Sequence, residues 1–408
     1  MKTPKSLRLH IGLFGRRNTG KSSLLNAVTR QSVSIVSDVA GTTTDPVEKP
    51  MELLPLGPVL FMDTAGVDDV GALGAMRIEK TRRILDRADV GLIVAAEAGW
   101  GAFEDGLLRE LEARQVPVIA VFNKADLVAP DPDLLARLKA RNVATVSTVA
   151  RRGEGVLDLR EALVRVAPDG FINTPPLLGD LVPAGRLAVL VVPIDKEAPK
   201  GRIILPQVQA IRDLLDHDAM CLVVKESGLA AALAGLKEPP ALVVTDSQAF
   251  REVADATPDE VPLTSFSILM SRAKGDLAEF VRGAMTLDRL RPGDRVLVAE
   301  ACSHHAIEDD IGRVKIPRWM TGYVGGPLEF SHAQGHDFPK DLNDFQLVVH
   351  CGSCMLNRRA MLSRILHCRR AGVPITNYGM TIAYTLGVFE RALRPFPAAL
   401  AAYEREQG

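Results

Sequence analysis

Gly15-Arg-Arg-Asn-Thr-Gly20-Lys21-Ser22 has the spacing G-x-x-x-x-G-K-S of a phosphate cradle. It follows the apolar run Leu9–Phe14 and leads into Ser23-Leu24-Leu25-Asn26-Ala27, a helical start. Its glycines let backbone N–H groups turn inward around a β-phosphate. Lys21 then bridges the β- and γ-phosphates, and Ser22 ligates Mg2+. Gly15, Asn18, Thr19, Gly20 and Ser23 complete the loop that faces the nucleotide. Asp63-Thr-Ala-Gly66 follows a second apolar run, where Asp63 suits a magnesium-bound water and the Gly66 N–H suits the γ-phosphate. Asn123-Lys124-Ala125-Asp126 ends a third run. Asp126 can accept two hydrogen bonds from the N1 and N2 donors of guanine. Adenine lacks that pair and would leave the carboxylate unmatched. In this order the three motifs imply Mg2+-dependent hydrolysis of GTP.

A second constellation lies near the C-terminus. Cys302-Ser-His304-His305 follows the apolar strand Arg295–Glu300, and His350-Cys351-Gly-Ser-Cys354 follows Gln346–Val349. Both groups sit just past strand C-termini, the edge where parallel α/β sheets bind ligands. A Cys-x-x-Cys there puts two thiolates within reach of one metal centre, and Cys302 can close a three-thiolate set. Spacing alone suits an iron–sulfur cluster and a zinc site of Cys3His or Cys2His2 type equally. Cys221, inside an apolar strand, and Cys368, within a helix, read as small buried hydrophobes.

These residues need sheets to hold them. From Arg8 to Pro168, strand-like runs at Leu9–Phe14, Val59–Met62, Val90–Ala95, Val116–Phe122 and Val143–Thr148 alternate with helical segments. That alternation predicts a parallel sheet wrapped by helices. The stretch with Pro168, Gly170, Pro175, Pro176, Gly179, Pro183 and Gly185 reads as a linker. A second alternating region has strands at Leu187–Ile194, Cys221–Val224 and Ala241–Thr245. Its helix over Gln207–His217 groups Val208, Ile211, Leu214 and Leu215 on one face. A third region has strands at Arg295–Glu300, Gln346–His350 and Pro374–Asn377, with helices over Asp276–Leu290 and Asn357–Ala371. The expected fold class is α/β: an N-terminal P-loop GTPase domain (1–170) followed by two smaller α/β domains with parallel sheets (171–265 and 266–408).

Composition narrows the function. The chain has 408 residues, too many for one ordinary core. With 47% hydrophobic and 24% charged residues it is a globular sequence and not a disordered one. A net charge of -1 and 5% aromatics provide neither a basic field nor stacking platforms for nucleic acid. The first residues show no secretory signal and no apolar run has membrane-spanning length, so the expected compartment is the cytoplasm. Five cysteines, an odd number, argue against a disulfide framework.

Between the first two motifs, Gly41-Thr-Thr-Thr-Asp45 resembles the Gly-Thr-Thr-Arg-Asp switch of the tRNA-modification GTPase subfamily. That resemblance makes Thr43 the magnesium-contacting threonine, with Thr44 in place of the arginine. Val149-Ala150-Arg151 resembles the Ser-Ala-Lys guanine loop without its serine, so Ala150 is the base-facing position. Val67 stands where Ras-like GTPases carry a water-orienting glutamine. In the resembling subfamily an asparagine at the position of Asn18 helps to coordinate K+, which implies K+-stimulated turnover with Lys21, Thr43 and Gly66 as the catalytic set.

Three further stretches bear on the family: Cys302-Ser-His304 with His350-Cys351-Gly-Ser-Cys354, the Asp309–Trp319 segment joining them, and Pro199–Gln209. With these the whole chain resembles the [FeFe]-hydrogenase maturation GTPases, the HydF family. The resemblance implies GTPase, dimerisation and cluster-binding domains. It implies a [4Fe-4S] cluster on Cys302, Cys351 and Cys354, with His304, His350 or Glu308 as candidates for the fourth position. The implied role is a homodimeric scaffold and carrier. It would receive a two-iron precursor made with radical-SAM maturases and deliver it to apo-[FeFe]-hydrogenase. Neither membrane nor nucleic acid is an expected partner. The competing expectation is a ribosome- or tRNA-directed GTPase with a structural zinc site, against which charge and aromatic content weigh.

Overall fold

Runs of aliphatic residues buried on both faces form the central strands of three separate sheets, parallel except for one edge strand. The computed structural model describes residues 3–29, 47–53, 56–64, 81–96, 99–168, 171, 175–194, 203–301, 310–335 and 337–407. Thr43, Gly66, Val67, Cys302, His304, His305 and Glu308 lie outside the described residues. The described chain forms two compact units, Met1–Thr174 and Pro175–Gly408.

In the first unit six strands are β1 (Leu9–Phe14), β2 (Val47–Leu53), β3 (Gly57–Asp63), β4 (Val90–Ala95), β5 (Val118–Asn123) and β6 (Ala144–Thr148). Their order is β2-β3-β1-β4-β5-β6. All neighbours are parallel except β2, which runs antiparallel to β3. Every residue of β1, β4 and β5 is buried, as a sheet covered on both faces requires. One face packs Ile11 and Leu13 against Leu24, Leu25 and Leu163, and the other packs Phe14 and Met62 against Leu107, Leu108 and Leu111. The edge strand β2 has no apolar alternation in its sequence, Val-Glu-Lys-Pro-Met-Glu-Leu, and Pro50 is tolerated because an edge strand can forgo an N–H donor.

The second unit holds two four-stranded sheets. The first comprises β7 (Leu187–Val191), β8 (Met220–Val224), β9 (Leu242–Thr245) and β10 (Leu263–Ser265), in the order β10-β9-β7-β8. The other comprises β11 (Arg295–Glu300), β12 (Glu329–Gln334), β13 (Leu347–His350) and β14 (Ile375–Asn377), in the order β12-β11-β13-β14. All pairings in both are parallel. One continuous core runs from Leu177 through Leu269 to Ala402 and joins the two sheets.

Three details depart from the sequence reading. The Pro/Gly-rich stretch is no tether beyond Pro175: Leu178 is fully buried, and the N–H groups of Leu178 and Gly179 donate to Asp213. The helix Leu205–Asp216 buries Gln207, Ala210 and Leu214, while Val208 and Leu215 face outward. The helix expected over 276–290 is α-helical over Leu277–Met285, capped by Asp276, and tightens to a 3-10 turn at Thr286–Arg289.

Candidate functional site

The phosphate loop leaves β1 at Phe14 and enters the helix Lys21–Thr29. Two of its glycines are sterically fixed. Gly15 has φ +149, and a Cβ there would lie 2.3 Å from Val94 O. Gly20 has φ +84, and a Cβ would meet Asn123 Nδ2 at 2.2 Å. Asn18 also takes a left-handed φ of 61, which Asn tolerates better than most residues. Lys21 is buried and donates to Gly15 O and Arg16 O, both at 2.8 Å, so its ammonium sits on the inside of the loop.

Asp63 ends β3 on the strand adjoining β1. The Ser22 hydroxyl hydrogen-bonds its carboxylate, while burial raises its pKa against the pull of Lys21, Lys49 and Ser22. Asp63 Oδ1 is buried with no hydrogen-bond partner among the described residues. An orphaned carboxylate oxygen beside a serine hydroxyl is the oxygen donor set that Mg2+ takes. Next along the chain, Thr64 Oγ1 donates to Leu13 O at 2.7 Å and fixes the exit from β3.

Asn123 joins the motifs. Its Nδ2 donates to Thr19 O at 2.9 Å, and its Oδ1 accepts from Thr148 Oγ1 and Ala150 N, each at 3.1 Å. The phosphate loop, the end of β5 and the loop after β6 thus meet at one buried amide. Lys124 follows with φ 61. Asp126 stays about one-third exposed, with Arg152 Nη2 at 3.7 Å. Gly155 closes the last guanine loop, where a Cβ would lie 2.0 Å from Ser147 O. Sequence reasoning missed Glu104. Fully buried, it accepts from Arg16 Nη2 and from Gly101 N, both at 2.9 Å, and so anchors the phosphate loop from the helix Ala102–Glu112. The signal was available, since Gly101 and Glu104 have the spacing at which a helix's third residue reaches back to its N-cap.

The cysteine loop begins at His350, the last residue of β13, whose side chain is 0% exposed. Its Nε2 takes a hydrogen bond from buried Arg364, and its Nδ1 lies 2.8 Å from Cys351 O and 3.1 Å from Ser353 Oγ. Since a guanidinium only donates, the ring proton sits on Nδ1. Burial and then Arg364 push its pKa down to about 3, so the ring is neutral. Both nitrogens are thus engaged, Nδ1 by the loop and Nε2 by the helix Arg358–Ala371. Ser353 turns the chain at φ 57, and Cys351 Sγ accepts from Ala301 N at 3.1 Å. Ala301 is the last described residue before Cys302. Beneath the loop, buried Lys274 donates to three of its carbonyls. Nothing in the sequence around Lys274 signals that role. Among the described residues no three metal-ligating side chains converge, and two thiols, Cys351 and Cys354, stand at this strand end.

Comparison with known proteins divides along the same lines. Residues 278–395 match the hydrogen maturase F tetramerization domain, 177–275 the hydrogen maturase F dimerization domain, and 10–124 the 50S ribosome-binding GTPase family. The chain is similar to the tRNA modification GTPase MnmE of Synechococcus sp. (strain JA-2-3B'a(2-13)), with 37% identity over 170 residues, 39% of this chain and 34% of that protein. MnmE of Methylobacterium radiotolerans is 40% identical over 160 residues, 39% of this chain and 33% of that protein. The chain therefore spans about a third of the length of these relatives. Among solved structures, the G domain of the T. maritima FeoB iron transporter is 25% identical and covers 40% of this chain and 99% of that one, with a TM-score of 0.32. Aquifex aeolicus Era bound to GDP.AlF4- is 17% identical and covers 80% and 93%, with a TM-score of 0.33. At such TM-scores neither likeness bears on the site.

Proposed function

Because the chain belongs to the hydrogen maturase F family, a P-loop GTPase domain joined to that family's dimerization and tetramerization domains, we propose that it is a scaffold and carrier for metallocluster assembly. It hydrolyses GTP in its first unit. In its C-terminal part, over residues 266–408, it holds a [4Fe-4S] cluster on Cys302, Cys351 and Cys354. It assembles or delivers the two-iron subcluster of [FeFe]-hydrogenase, received from radical-SAM maturases, in the cytoplasm, where thiols stay reduced. The observation that carries this reading is the anchored Cys351–Cys354 loop at the C-terminal end of β13, beside the end of β11 that leads to Cys302. A homodimer through residues 171–265 is supported by the outward-facing Val208, Leu215, Met220 and Val223 in that segment.

Within the GTPase unit the residues divide the work. Lys21 neutralises the β- and γ-phosphates, backbone N–H groups of the loop from Gly15 to Ser22 cradle them, and Asp126 reads guanine. Ser22, Asp63 and Thr43 would hold Mg2+, which supplies charge stabilisation as the γ-phosphoryl departs. Asn18 would hold K+ where other GTPases use an arginine finger, with Thr43 and Gly66 completing the catalytic set. For the cluster, the fourth position falls to His304 or Glu308 more readily than to His350, whose ring nitrogens are both engaged.

The test is metal analysis of anaerobically purified protein. Iron and sulfide that disappear in Cys351→Ser and Cys354→Ser, with a reduced-cluster paramagnetic resonance signal, support the scaffold. Stoichiometric zinc with no such signal supports the second reading, an RNA-directed GTPase with a structural zinc site, which the MnmE likeness of the first unit favours.

A further inference from the structure

The helix Phe266–Lys274 ends in a lysine only 6% exposed. Its ammonium donates to Ser353 O at 3.3 Å, Cys354 O at 3.2 Å and Leu356 O at 2.5 Å. An ammonium has three donors, and here all three end on the loop that carries the two thiols. Among the described residues no carboxylate pairs with Lys274, and its three hydrogen bonds all end on carbonyls of this loop. A second buried cation has the same character. Arg364 donates to His350 Nε2 and Gly335 O, and lies 4.9 Å above the Phe338 ring. It too has no carboxylate partner among the described residues.

Burying one cation without a counter-ion is costly, and burying two around one loop is more so. The cost is offset where the loop's own sulfurs are anionic, as they are when they ligate a metal. The lysine also crosses a module boundary. It belongs to the segment that matches the dimerization family, whereas the thiols belong to the segment that matches the tetramerization family. The same helix sends Ser267 and Ser271 to Asn377 at the end of β14, so it is fixed against the sheet that bears the thiols.

We propose that Lys274 is a positioning residue for the metal-binding loop: it sets the Cys351–Cys354 geometry through three carbonyls and lends positive charge to a thiolate-ligated centre bound there. The inference rests on metal binding at these cysteines. A lysine that served only to finish its helix would hold the fold together and leave the metal's properties unchanged.

The experiment uses the full chain and two variants. Lys274→Met removes donors and charge, and Lys274→Gln keeps two donors without the charge. Co2+ added to the metal-free protein and followed by thiolate-to-cobalt absorption reads the geometry of the loop. The midpoint potential of the reconstituted cluster, followed by paramagnetic resonance, reads the charge. Lys274→Met is expected to weaken Co2+ binding by about 10-fold or more, in the range of other outer-shell losses. Lys274→Gln should recover part of that affinity. Both variants should lower the midpoint potential, because a reduced cluster gains an electron that the lost charge no longer favours. Variants that fold, bind Co2+ as the unaltered protein does and keep its potential overturn the proposal. If the unaltered protein reconstitutes no iron cluster, the scaffold reading fails, and the Co2+ comparison still decides the role of Lys274. If Lys274→Met does not fold, Lys274→Gln carries the same comparison.

Discussion

Asn123 donates to the phosphate loop at Thr19 O and accepts from Thr148 and Ala150, so one amide registers three motifs that are far apart in sequence. Asn123→Ala leaves Thr19 O and Ala150 N without that partner. A loss of about 1–3 kcal/mol in the stability of the first unit is expected, together with weaker GTP binding, read by denaturant melts and a fluorescent guanine nucleotide. Asp126→Asn should leave the fold intact and relax discrimination against other purines, read as competition by GTP, ITP and ATP, since the two-hydrogen-bond acceptor is lost. His10 supplies a pH dependence. Buried on β1, its pKa falls from 6.5 to about 4, chiefly through burial and then through Arg87. The unfolded chain then binds the proton more readily than the fold. The stability contribution is complete above pH 6.5 and is lost as pH falls toward 4, by roughly 3 kcal/mol in the limit. His10→Gln should show a shallower fall of stability across that window, and an unchanged slope rules His10 out.

Among the elements, glycines mark where backbone must approach backbone. A Cβ on Gly283, in the helix Leu277–Met285, would lie 2.0 Å from Ile375 O on β14. Gly283→Ala should destabilise the second unit by about 1–3 kcal/mol or more while GTP hydrolysis is kept, read by thermal unfolding and phosphate release. Such close approaches leave no trace in sequence, because a glycine that flexes and a glycine that packs look alike. The central strands were legible for the opposite reason. Strands buried on both faces read as continuous aliphatic runs, and β1, β4, β9 and β11 stand close to where those runs lie. The edges were not. β2 and β12 carry Glu48, Lys49, Glu329 and Ser331, one-sided strands without a clear apolar pattern, and β10 is three residues long. The helix Leu205–Asp216 misled because its apolar residues span more of its circumference than the core covers, and a buried Gln207 bonded to Ile204 N takes one inward position. In the sites, motif residues such as Lys21, Asp63 and Asn123 were legible from spacing. Glu104 carried a capping signal that was passed over, whereas Lys274 and Arg364 act through folded geometry alone and were not legible.

At the scale of the molecule, the nucleotide residues and the thiols belong to different compact units, Met1–Thr174 and Pro175–Gly408. The two proposed sets share no residue, so each is expected to be removable alone. Lys21→Ala should abolish GTP turnover and keep the metal, while Cys351→Ser and Cys354→Ser should lose the metal and keep turnover within a few-fold. Replacing Na+ by K+ at equal ionic strength should raise turnover, and equal rates would remove Asn18 from the mechanism. A carrier needs both its cargo site and its release control, so either loss alone should stop maturation. The most direct measurement is therefore activation of purified apo-[FeFe]-hydrogenase by this protein after exposure to the radical-SAM maturases, with Lys21→Ala and a variant carrying serine at Cys302, Cys351 and Cys354 alongside. Activation by the unaltered protein and failure of both variants is the expected result. Full activation by the cysteine-free variant would contradict the scaffold role and leave a GTPase whose thiols are dispensable.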